Sequence, residues 1–178
     1  MIKDMMKTSF GYRVDAPEGI IGGLPRPYVF LAGGIQNCPE WQTEVLSKLS
    51  EIADSMNRPF RRFTVFNPRR ANFPIHDPSA AEEQISWEFN ALALSNIVSF
   101  WFSRGSDNPI VMFEYGKYLE RFKQTGHPAL IVGCDPEYKR KQDVLIQTRL
   151  VRTSEWGMLS DLNQIASRIF WLAADDNW

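Results

Sequence analysis

Two hydrophobic periods alternate along this chain. Residues 28–32 are five apolar residues without a break, ending on Gly33-Gly34; so continuous a run predicts a strand covered on both faces. Residues 37–57 then carry Trp41, Val45, Leu46, Leu49, Ile52 and Ala53 at helical spacing, with Asn37 as the expected cap and Pro39 near the first turn. Residues 61–70 predict a second strand stopped by Asn67-Pro68, and 71–78 a loop. A second helix is expected over 79–96, with Ser79 and Glu82 as a capping box. The apolar run 97–102 predicts a central strand, and 103–108 a turn. Asn108 as cap and Pro109 in the first position open a third helix, which Gly126 closes. A fourth strand is expected over 128–133, then a short helix, a fifth strand near 146–151 and a last helix over 154–174. Residues 1–26, rich in Gly, Pro and charge, predict an irregular arm with room for a short hairpin, ahead of one α/β domain over 27–178.

Strands alternating with helices imply a parallel sheet wound on both faces. Five strands favour the flavodoxin-like order 2-1-3-4-5. In such sheets ligands bind beyond the carboxyl ends of the strands, where the strand order reverses, here between the first and third strands.

Composition narrows the classes. A length of 178 residues suits one core, and a net charge of -1 gives no basic footprint for polymeric nucleic acid. No apolar stretch has the length of a membrane span, and the first residues lack the apolar centre of a secretory leader. Cys38 and Cys134 stand far apart, no CxxC occurs, and His76 and His127 are the only histidines. That argues against a metal site and fits a reducing, cytoplasmic setting without disulfides. No cofactor is expected. Aromatic residues make up 13% of the chain, enough to line a pocket for a flat ligand as well as to fill a core.

The strand-end rule selects candidate residues. Gly33, Gly34 and Gln36 follow the first strand; Asn67, Arg69 and Arg70 follow the second; Asn108 follows the third. Glu114 comes directly after the apolar run 110–113, with only Lys117 as an intrahelical partner. Glu88 is a second carboxylate in apolar company, between Trp87 and Phe89. A buried, unpaired carboxylate is costly, so each is either a solvated helix face or a group doing chemistry. The glycine pair reads equally as a tight turn, and the arginines equally as a solvated face.

Four segments in order, "YVFLAGGI", "FNPRR", "QISWEFNALALSNIVSFWF" and "PIVMFEYGKY", resemble the nucleoside 2-deoxyribosyltransferase family in its divergent "-like" branch. The resemblance covers residues 28–133. It implies a flavodoxin-like fold and cleavage of an N-glycosidic bond. Within the family's E-x-G segment, Glu114 with Gly116 corresponds to the nucleophile. Glu88 corresponds to the acidic residue that contacts the base or protonates its leaving nitrogen. Gly33 and Gly34 correspond to the turn lining the sugar and any 5′-phosphate. Arg69 or Arg70 would then hold a phosphate, and Trp87, Trp41 or Phe102 would stack on the base. Many family members carry an aspartate just before the third strand; Ser95-Asn96 stands there instead, and Asn96 can hydrogen-bond but cannot serve as an acid. The implied partner is a small nucleoside or nucleotide, and the implied assembly a homo-oligomer whose C-terminal region, here 172–178, completes a neighbour's site.

Three functions fit these residues: transfer or hydrolysis of a glycosyl group, a catalytically inactive module that sequesters a nucleotide, and a flavin-binding protein. The first uses both glutamates. The third is disfavoured because no hydroxyl-rich phosphate loop follows the first strand.

Overall fold

The computed structural model describes residues 6–20, 22–74, 76–152, 157–175 and 178. Residues 1–5 of the expected arm, the expected start of the last helix at 154–156, and part of the 172–178 tail lie outside them. The described chain forms a six-stranded sheet and five helices. The strands are β1 (Met6–Thr8), β2 (Gly11–Asp15), β3 (Tyr28–Gly33), β4 (Phe63–Asn67), β5 (Ile97–Phe102) and β6 (Ala129–Cys134). The helices are α1 (Trp41–Ser55), α2 (Pro78–Leu94), α3 (Pro109–Thr125), α4 (Lys141–Val151) and α5 (Leu162–Ala173).

The sheet order is β1-β2-β4-β3-β5-β6, parallel except for the β1–β2 hairpin. Its central part, β4-β3-β5-β6, is the flavodoxin-like order. Alternation along each strand explains the unbroken apolar runs. Tyr28, Phe30 and Ala32 pack beneath α2, α3 and α4, while Val29 and Leu31 pack on α1 and α5. None of the helices among the described residues is long and apolar enough to cross a membrane.

Three local expectations are corrected. The predicted fifth strand at 146–151 is helical. Val144 and Thr148, one turn apart, are the buried positions of α4, and a short apolar run does not distinguish the two periods. Among the described residues the sheet continues past β6 as a single parallel bridge between Gly133 and Leu159. The cap of α2 is Asp77, whose Oδ1 accepts from the Ser79 backbone N–H at 2.9 Å; Pro78 takes the first helical position, so the cap has to precede it. Asn37 adopts a left-handed conformation (φ 57) and Glu40 stands at the α1 cap position, leaving 34–40 as a loop above the sheet.

The arm is also more ordered than expected. Phe10 and Val14 are fully buried, each contributing about 1.5–3 kcal/mol, enough to dock a Gly- and Pro-rich segment on the sheet edge. Asn67 Nδ2 donates to Asp15 Oδ1 at 2.7 Å, Thr64 Oγ1 to the Pro25 carbonyl at 2.8 Å, and Trp87 Nε1 to the Glu18 carbonyl at 2.7 Å.

Candidate active site

The strand order reverses at β3, between its neighbours β4 and β5. Beyond the carboxyl ends of these strands lies a cleft of about 260 Å³. Its floor is Phe30 and Ala32. One wall is the Gly33–Gln36 loop, and the other is Ser106, Asn108 and the start of α3; Pro68 and Glu88 close it from the β4–α2 side.

The loop is shaped by packing. A Cβ on Gly33 would strike the Trp41 ring and the Trp101 carbonyl, and one on Gly34 would strike Asn108 Oδ1 and Cys38 Sγ. Trp41 Nε1 donates to the Gly34 carbonyl at 2.9 Å, tying the turn to α1. Arg69 fastens the rest: Nε donates to Gln42 Oε1 (2.9 Å), Nη1 to Glu40 Oε1 (2.7 Å) and Nη2 to the Pro39 carbonyl (2.9 Å). Asn108, 2% exposed in a left-handed conformation (φ 50), donates from Nδ2 to the carbonyls of Ser103 and Ser106, both at 3.0 Å. Two αL asparagines, Asn37 and Asn108, thus shape the facing turns, a conformation in which asparagine is enriched.

The two carboxylates enter from different helices. The inward stripe of α2 is Ala80, Gln84, Trp87, Ala91 and Leu92, and Glu88 lies on the same side; the apolar Ile85 and Phe89 point to solvent. On α3, Val111, Tyr115, Tyr118 and Leu119 face the core and Glu114 the cleft, while Phe113 is exposed and Ile110, also exposed, stands at the rim of the cleft. Ile85, Phe89 and Phe113 therefore face out where the glutamates face in.

Both glutamates are pushed up from the usual carboxylate range. Glu114 is raised to about 7, first by burial and then by the nearby charge of Glu88, with Lys117 opposing. Glu88 is raised by burial, opposed by a hydrogen bond from Gln84 Nε2 at 2.7 Å. Two like charges that repel in a desolvated cleft favour a state with one proton between them.

The other residues selected from sequence divide. Gly33, Gly34, Gln36 and Asn108 line the cleft with the two glutamates. Arg69 is turned onto the Gln36–Glu40 side of the loop, and Arg70 pairs with Glu83 at 3.0 Å and lies over the Phe73 ring; neither lines the cleft. Asn67 and Trp87 are spent on the N-terminal segment, Asn67 also accepting from the Arg69 N–H at 3.2 Å. Phe102 is fully buried between Tyr115 and Tyr138 and cannot stack on a ligand there. Asn96 lies at the opposite end of the sheet: its Oδ1 accepts from the Tyr28 N–H at 2.9 Å, where β3, β5 and β6 begin. A six-residue strand is roughly 20 Å long, so Asn96 cannot reach a ligand bound at Gly33.

Sequence reasoning passed over Gln84 and Ser106, whereas Pro68 stands among the residues that the strand-end rule picks out after the second strand. Gln84 had one usable signal, its position one turn before Glu88 on the same helix face. Ser106 lies in a turn, a position that carries no pattern of its own.

Among the described lining residues, two are acidic and none is basic. A paired, partly desolvated carboxyl couple in a nucleoside-sized cleft is equipped to attack an electrophilic carbon and to move a proton. No curated protein matches the sequence. The family model described as nucleoside 2-deoxyribosyltransferase like matches residues 26–138, which include every lining residue of the cleft. The chain belongs to the nucleoside 2-deoxyribosyltransferase-like family.

Proposed function

We propose that this protein cleaves the N-glycosidic bond of a deoxynucleoside and passes the deoxyribosyl group to another base or to water. The Glu114 carboxylate attacks C1′. The electron pair of the C1′–N bond leaves with the base, and the base takes the proton carried by Glu88. The result is a glycosyl ester on Glu114, a free neutral base and an ionised Glu88. In the second half Glu88 takes a proton from the incoming base or water as it attacks C1′, and Glu114 departs as a carboxylate. Two inversions give net retention, the outcome associated with two close carboxyl groups.

The observation that carries this reading is the pairing of Glu88 with Glu114, from two helices, in one small cleft where burial raises both. Their state with one proton is the reactive stoichiometry: one carboxylate to attack, one acid to protonate the base. A cleft of about 260 Å³ falls at the small end of ligand pockets and suits a nucleoside more than a dinucleotide. With no cation among its described lining residues, the cleft favours an uncharged nucleoside over a phosphorylated one. An inactive module that sequesters a nucleotide would have no use for two desolvated carboxyls.

A homo-oligomer forms part of the same proposal. Ile85, Phe89, Ile110 and Phe113 are 60–74% exposed on the outer faces of α2 and α3, which Lys117 links by lying 4.8 Å from the Phe89 ring. Apolar surface of this kind next to a cleft suits burial against a second copy.

The test is to incubate the protein with a panel of deoxynucleosides and deoxynucleotides, with and without an acceptor base. Released base is followed together with the intact mass. Base release, with a sugar-sized adduct mapping to Glu114, is the expected result. Ligand binding with no base released would leave the inactive module as the better account.

A further inference from the structure

Gln84 is buried yet touches two acceptors. Its Nε2 lies 2.8 Å from the Pro68 carbonyl and 2.7 Å from Glu88 Oε1, so each amide hydrogen has a partner. Its Oε1 is buried with no partner. The orientation is therefore decided by Pro68. Turning the amide over would set Oε1 against a carbonyl oxygen, acceptor against acceptor, and lose both bonds. Gln84 must present an N–H to Glu88. Glu114 receives no hydrogen bond from a side chain or backbone among the described residues, so the two carboxyls are unequal by construction.

We propose that Gln84 is a positioning residue for the proton that the carboxyl pair shares: by holding Glu88 Oε1 as an acceptor it confines any proton on Glu88 to Oε2 and leaves Glu114 as the resting holder. The consequence for the reaction rests on the glycosyl-transfer reading above. The proton must move from Glu114 to Glu88 when substrate enters, which frees the nucleophile only in the occupied cleft. The remaining charges nearby do not account for the inequality. Lys117, on α3, favours ionised Glu114 and so acts in the opposite sense. Arg69 and Arg70, beyond Pro68, are taken by Glu40 and Glu83. The strands beneath contribute Phe30 and Ala32, which carry no charge.

The first measurement uses the unmodified protein without substrate. The side-chain amide resonances of Gln84 are followed by ¹⁵N NMR through a pH titration. They should shift with the midpoint of the Glu88 carboxyl carbon, and the shift should vanish in Glu88→Gln. A flat Gln84 amide in the unmodified protein overturns the proposal. In Gln84→Leu, which keeps bulk and removes the donor, the Glu88 midpoint should rise and the Glu114 midpoint fall. Unmoved midpoints in a folded variant also overturn it. These readouts need no turnover: midpoints that move in a protein releasing no base would sink the glycosyl-transfer reading and leave the role of Gln84 standing.

Discussion

Asn108 Oδ1 occupies the position that a Cβ on Gly34 would require. The turn after β3 and the start of α3 are thus fitted to each other across the cleft, with Cys38 Sγ on the same contact, 3.8 Å from Asn108 Oδ1. Gly34→Ala must displace Asn108 or the loop, and Asn108 is held by two carbonyls. We expect a loss of about 1–3 kcal/mol of stability, as for other overpacked sites. Ligand affinity should fall with it. Thermal melts and nucleoside titrations of the variant check both effects.

Glu114→Gln should lower turnover by about 10³-fold or more, as for loss of a nucleophile. The same substitution should stabilise the fold above neutral pH. A carboxyl near 7 in the folded chain and near its ordinary value when unfolded makes the native state bind more protons across that window. Wild-type stability therefore falls as pH rises from about 4 to 7. Glutamine removes this dependence. The gain at pH 8 is at most roughly 3 kcal/mol, and it should disappear at pH 4. Urea unfolding at the two pH values measures the difference.

The rate of base release should be bell-shaped in pH. Below the Glu88 midpoint both groups are protonated and no nucleophile exists. Above about 7 both are ionised, the leaving base finds no acid, and the rate should fall about tenfold per pH unit. A rate that stays level from pH 6 to 9 would remove the carboxyl pair from proton transfer.

Asn96→Ala should cost about 1–2 kcal/mol through the lost bond to the Tyr28 N–H, with turnover kept within about twofold. Arg69→Ala should act differently. It frees the 34–40 loop and should weaken phosphorylated and unphosphorylated ligands alike. A loss confined to phosphorylated ligands would restore Arg69 as a phosphate contact.

Phe113→Asp should shift the protein toward monomer in sedimentation experiments, because it places a charge on the most exposed phenylalanine of the apolar rim. An unchanged sedimentation coefficient would place any self-association elsewhere.

The parallel order around β3 was legible because long apolar runs and Pro/Gly stops mark each buried strand. Glu114 was legible for a similar reason, as a carboxylate abutting an apolar run. The direction of that run was not. Four apolar residues in a row carry no period, and of these Val111 is buried with Tyr115 while Ile110 and Phe113 are exposed. Residues 146–151 misled because six residues are too few to separate a strand from two turns of helix. Asn67, Trp87 and Phe102 looked available to a ligand because their partners, Asp15, Glu18 and Tyr138, are distant in sequence. Long-range pairing of that kind leaves no local pattern.

The hairpin at the sheet's outer margin has a further effect. Among the described residues, β1 is three residues long and runs antiparallel to its neighbour, and beyond β6 the sheet continues through the single bridge to Leu159. Short, irregular margins offer few free amides and carbonyls to another molecule's backbone. Pairing of another backbone along these margins is thereby discouraged, which leaves the helical faces beside the cleft as the surface for the self-association proposed above.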